Sequence, residues 1–152
     1  MTLIEQNDIV RKIITIDAPV SIVWQYLTTP DLMKLWMLDA DMEMDILTDW
    51  KIGSPIKMKG KFHRIKFENT GTILTCQKEK VLIYTHLSSI SRLAARAENF
   101  CTITFMLIPA EQSTTLELTI TNFPTYAIFT HMAFYWKTTL EVLKRQLENN
   151  TL

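Results

Sequence analysis

The chain has 152 residues, which fits one domain and suffices to bury roughly 70% of the unfolded surface. Hydrophobic residues make up 47% of it, with 4 Trp, 7 Phe and 8 Met, so a core of this size needs no staples. Lys and Arg (16) balance Asp and Glu (16), which leaves no broad positive field to hold nucleic acid or an anionic membrane.

Cys76 and Cys101 have no C-x-x-C spacing, so neither a disulfide framework nor a zinc site is expected. They read as two small buried thiols in a reducing cytoplasm. No signal peptide is visible, and no apolar run approaches the ~18 residues that cross a membrane. A cytoplasmic protein with no membrane insertion follows as the expectation.

In chain order, residues 1–8 are polar and are expected to fray. Val10–Asp17, rich in Ile and Val, predicts a strand. Pro19 cannot continue it, because proline lacks an N–H and fixes φ, but it suits the first position of a helix. The helix predicted over Pro19–Thr28 puts Val20, Val23, Trp24 and Leu27 on one face. Trp24 reads as structural. A second short helix is predicted over Pro30–Leu35, with Asp31 favourable to its dipole. Two helices this short look like a plug at one end of a sheet.

From residue 40 to 122 the period becomes two. Met42, Met44 and Ile46 alternate with Asp41, Glu43 and Asp45, and Ile56, Met58 and Gly60 with Lys57, Lys59 and Lys61. Paired as antiparallel neighbours, these runs would oppose acidic and basic outer faces. The intervening Asp49–Pro55 carries turn chemistry in Gly53 and Pro55. Further strands are predicted over Thr70–Cys76, Lys80–Leu87, Phe100–Ile108 and Thr114–Asn122, with hairpin connections at Glu68–Gly71, Gln77–Lys80 and Pro109–Ser113. No helical crossover interrupts the series, so an antiparallel meander is expected. Ser88–Asn99 reads as a rim loop with one helical turn, a length often functional.

The last helix is predicted from Thr125 to Asn149. Phe129, Met132, Ala133, Trp136, Leu140, Leu143 and Leu147 form one apolar stripe. Glu141–Arg145 and Lys144–Glu148 are opposite-sign pairs four apart on its other side. The stripe has to lie across the sheet.

Strand, two short helices, six strands and a long terminal helix is an α+β helix-grip order, β-α-α-β6-α, in one domain over residues 1–152. On Ile16-Asp-Ala-Pro-Val-Ser-Ile-Val-Trp24, Thr29-Pro-Asp-Leu…Trp36, Asp49-Trp-Lys-Ile-Gly-Ser-Pro-Ile56 and Phe134-Tyr-Trp-Lys-Thr-Thr-Leu140, the chain resembles the START-like (Bet v 1-like, SRPBCC) superfamily, and within it the Aha1-type group. The resemblance implies a curved antiparallel sheet wrapped around the C-terminal helix, with a cavity between them that binds small hydrophobic molecules. Some members use that cavity for cyclisation or dehydration. The activator of a chaperone ATPase that names the group carries an additional N-terminal domain, for which this chain's length leaves no room.

The expected wall of the cavity is Met58, Tyr84, His86 and Phe105 from the sheet, with Phe129, Met132 and Trp136 from the helix. Trp36 and Met37 are expected at the mouth. Met suits an adaptable apolar pocket, and Tyr84 and His86, two apart on one strand, supply its polar pair. The leading expectation is a binding protein for a small hydrophobic or amphipathic molecule, with no catalytic residue, metal or cofactor, as a monomer or a homodimer paired through a sheet edge. Two alternatives are an enzyme of the cyclase or dehydratase kind, using Tyr84 and His86 on a bound carbonyl, and an interaction module using the Lys57, Lys59, Lys61 and Lys66 stripe or the 88–99 loop. His63 and His131 lack the spacing of metal ligands.

Overall fold

The computed structural model describes residues 8–149, so the expectation about the first residues falls largely outside the described chain. The elements follow the predicted order: β1 (Val10–Ile16), α1 (Val20–Thr28), α2 (Pro30–Met37), β2 (Met42–Leu47), β3 (Pro55–Phe62), β4 (Ile65–Gln77), β5 (Val81–Ser88), β6 (Cys101–Pro109), β7 (Thr114–Thr121) and α3 (Tyr126–Asn149). Two single 3-10 turns, Ser89–Ser91 and Ala97–Asn99, break the 88–99 segment where one turn was expected.

All seven strands form one curved antiparallel sheet in the order β1-β7-β6-β5-β4-β3-β2, which makes β1 and β2 its edges. Alternation sets the register. Glu43 stands opposite Lys61 and Asp45 opposite Lys59 on the outer face, as the charge pattern predicted. The ion pair that Asp45 forms reaches across to Lys34 of α2 instead, at 3.2 Å. On the inner face Met58, Leu82, Tyr84, Ile103, Phe105, Leu118 and Ile120 are buried, as are Met132, Trp136, Leu140, Leu143 and Leu147 of α3.

The helical plug is fixed by backbone chemistry. Pro19 is the N-cap of α1, one residue earlier than expected, with φ −68° and ψ 153°, whereas Pro30 takes the first helical position of α2. The Trp36 Nε1–H donates to the Tyr26 carbonyl at 2.9 Å inside the core, tying the end of α2 to the last turn of α1. Thr114 Oγ1 donates to Ala18 O at 2.9 Å inside the core, tying β7 to the strand-to-helix turn. At the far end of α3, Glu148 accepts from the Asp17 N–H at 2.9 Å and pairs with Lys144 at 3.1 Å, while Lys144 also donates to the Thr15 carbonyl. The predicted Glu141–Arg145 partners are not among the ion pairs of the described residues.

One predicted connection is wrong. Glu68–Gly71 is not a turn but the middle of β4; the β3–β4 hairpin turns at His63 and Arg64, with φ of 50° and 70°. Positive φ at both central residues matches the twist of a tight hairpin, but it is ordinarily signalled by Asn or Gly, and neither is present. Gly71 serves a different purpose there. A Cβ on it would lie 1.7 Å from the Thr85 carbonyl oxygen, so β4 and β5 approach closely just before the bulge at Ile73/Thr75.

Candidate ligand cavity

Between the inner face of β2–β6 and the first half of α3 lies a cavity of about 430 Å³. Its deep wall consists of buried side chains, Met37, Met58, Tyr84, Cys101, Ile103, Met132 and Trp136 among them. Its rim carries the exposed Asp39, Ile90, Ala127 and His131, so it opens between the 88–99 segment and the first turns of α3. The volume and the apolar wall with few polar groups are those of a small-molecule site.

The sheet sets up the polar groups. Met58 pairs with Asn69, Asn69 with Ser88, Tyr84 with Ile103 and His86 with Cys101, so these side chains share the inner face. Among the described residues, neither the Tyr84 hydroxyl nor the His86 imidazole has a hydrogen-bond partner, and Trp136 Nε1 and Asn69 Oδ1 are buried without one. Burial, with Tyr135 nearby, pushes the Tyr84 phenol up, so it stays protonated. Burial, reinforced by His131, pulls His86 down to about 4, so its imidazole is neutral at pH 7. Burial raises the Cys101 thiol to about 11, which leaves it unreactive. Tyr135, raised to about 12 mainly by burial, donates its hydroxyl to Met37 O at 2.7 Å and ties α3 to the end of α2.

Six of the nine predicted residues come together here: Met37, Met58, Tyr84, His86, Met132 and Trp136. Trp36, Phe105 and Phe129 do not line the cavity. Trp36 is committed to Tyr26 O, and its ring lies 6.1 Å from that of Trp136. Phe105 is fully buried with its ring edge-on to Trp136 at 5.6 Å. Both support Trp136 from behind. Phe129 packs on Phe123 at 5.1 Å and on Tyr126 at 5.8 Å, because the cavity-facing side of α3 is rotated towards Ile128, His131 and Tyr135. The sequence reading missed Met42, Met44, Phe67, Asn69, Leu87 and Cys101, while Ile103, which it placed on the concave face, does line the cavity. Parity on β2 and β6 carried the signal for Met42, Met44 and Cys101, whereas Leu87 breaks the parity of Tyr84 and His86 on β5, and Phe67 and Asn69 were hidden by the false turn.

A larger, shallower hollow of about 620 Å³ is lined by Glu43, Asp45, Lys59, Lys61, Lys66 and Glu68. Its charges of both signs are interleaved and solvated, and it holds none of the orphaned buried groups. Among the described residues no cluster of side chains suits a metal ion, and no helix is long and apolar enough to cross a membrane.

Residues 17–148 match the family model described as Activator of Hsp90 ATPase homolog 1-like protein. Among curated proteins none matches. The solution structure of ChR145 from Cytophaga hutchinsonii is 32% identical, with a TM-score of 0.78 over 98% of this chain and 97% of that one. Protein NE0264 from Nitrosomonas europaea is 26% identical, with a TM-score of 0.77 over 99% of this chain and 100% of its own. The Aha1 dimer from Colwellia psychrerythraea shares the fold at 23% identity, with a TM-score of 0.72 over 95% of this chain and 98% of its own. The order of elements and the family model that spans nearly all of them agree: the chain belongs to the Activator of Hsp90 ATPase homolog 1-like family, within the START-like superfamily.

Proposed function

We propose that this protein binds a small hydrophobic or amphipathic molecule in the cytoplasm, holding it between the sheet and α3. One observation carries this: a cavity of about 430 Å³, walled by flexible Met and aromatic side chains and by Tyr84 and His86, whose polar groups have no protein partner among the described residues. A core built only for stability would close such a space, since a void loses contact energy on every side. Six of the nine expected site residues, Met37, Met58, Tyr84, His86, Met132 and Trp136, are assigned to the ligand contact. Tyr84 and His86 orient the molecule.

Thermal-shift measurements with a panel of lipids, sterols and aromatic compounds test the proposal. A ligand at 100 times its Kd adds about 2.7 kcal/mol, which for a chain of this length raises Tm by about 5–10 °C. Met58→Trp, which pushes an indole into the cavity, should fold and weaken the shift. No response to any class of compound would remove the proposal.

A further inference from the structure

The polar side chains around the cavity divide by what they already bind. Ser88 Oγ accepts from the Ile90 N–H at 3.3 Å, and Ser91 Oγ donates to the Ser88 carbonyl at 2.7 Å. Asn99 Nδ2 donates to the Ala94 carbonyl at 2.9 Å, and the Tyr135 hydroxyl to that of Met37 at 2.7 Å. Asn69 Oδ1 and Trp136 Nε1 are sealed away from open space, so they meet no ligand. What remains is the Tyr84 hydroxyl and the His86 imidazole in the wall, with Asp39 and His131 at the rim. Tyr84 is 2% exposed, and its hydroxyl is neither paired nor among the sealed atoms, so it opens on the cavity. A polar group left unpaired in so enclosed a place costs more than a made hydrogen bond returns.

Tyr84 and His86 stand two apart on one face of β5, about 7 Å along the strand, and form one polar patch in an apolar wall. Each offers a donor and an acceptor: the phenol through its O–H, the neutral imidazole through one N–H and one bare nitrogen. Burial keeps both uncharged at pH 7. Among the described residues no Lys or Arg lines the cavity, and its one carboxylate is Asp39 at the rim. A carboxylate or phosphate brought inside would meet no fixed cation, and its desolvation would go uncompensated. An ether or ketone oxygen would answer the donors and leave the acceptors bare. A hydroxyl answers both kinds.

Resting on the cavity function proposed above, we infer that the Tyr84–His86 patch recognises an uncharged hydroxyl, an alcohol or phenol carried by an otherwise apolar molecule.

The test compares four probes on one ring system: naphthol, methylnaphthalene with a methyl in place of the hydroxyl, methoxynaphthalene, which only accepts, and naphthoate. Affinities come from titration calorimetry at pH 7, and the His86 ring-nitrogen resonances from proton–nitrogen correlation NMR. Naphthol should bind about tenfold more tightly than methylnaphthalene, with methoxynaphthalene below naphthol and naphthoate weakest. Naphthol should also move the His86 resonances further than methylnaphthalene does. Tyr84→Phe keeps the ring that stacks on Phe105 and removes only the hydroxyl. It should lower the tenfold ratio to about threefold or less; if the variant does not fold, the wild-type ratios and resonances decide. Equal binding of naphthol and methylnaphthalene, or a ratio that Tyr84→Phe leaves unchanged, overturns the inference and leaves the cavity function standing. So does methoxynaphthalene or naphthoate binding as tightly as naphthol. Binding of none of the four overturns both.

Discussion

Acidification isolates what the cavity does to one side chain. His86 is held near 4 in the folded protein, below its ordinary 6.5, because burial penalises the imidazolium and His131 repels it. Since the folded value is the lower one, the unfolded chain binds more protons at any pH between the two. Stability is therefore fully present above 6.5 and is lost as pH falls toward 4. The gap corresponds to about 3 kcal/mol in full, of which about 2 kcal/mol is reached between pH 7 and 5. His86 is only part-buried on its cavity side, and water reaching it there brings the expected loss to about 1–2 kcal/mol. Asp49 and Glu148 are held low by hydrogen bonds, from Ser54 and the Asp17 N–H respectively, so they contribute losses only at more acid pH. Urea unfolding at pH 7 and pH 5, on wild type and His86→Gln, reads the difference directly. Wild type should lose about 1–2 kcal/mol more than the variant. An equal loss in both proteins would refute the reasoning, because the imidazole would then be solvated in both states.

Gly71→Ala should cost at least about 2 kcal/mol in chemical denaturation, since its Cβ would collide with the Thr85 carbonyl and neither backbone can yield cheaply. Trp36→Phe should cost about 1–3 kcal/mol by removing the indole's buried hydrogen bond to the Tyr26 carbonyl, read as a lower urea midpoint. Thr114→Val should cost about 1–2 kcal/mol by removing the buried donor to Ala18 O, as a shift in urea midpoint at constant slope.

The architecture was legible because each signal was local. Period-two alternation placed the inner faces of β2, β3 and β5 through β7, and Pro30, Gly53 and the Gln77–Lys80 turn marked boundaries the backbone obeys. The β3–β4 hairpin was not legible, since His63 and Arg64 adopt positive φ without the residues that usually mark it. Reading Glu68–Gly71 as a turn then concealed Phe67 and Asn69, which face the cavity. The helix stripe identified which α3 residues are apolar but not which of them meet open space. Phe129 and Trp136 share the stripe, yet the first packs on Phe123 while the second presents its indole to the cavity. That distinction is set by how the helix is rotated over the sheet, a tertiary property.

The central claim is that the space between sheet and α3 is a ligand site. A crystal structure of the protein purified without any ligand-stripping step tests it most directly. The account predicts density for an apolar molecule between Met58, Tyr84, Met132 and Trp136. An interior in which Met37, Met58 and Met132 close on one another and fill the space would contradict it.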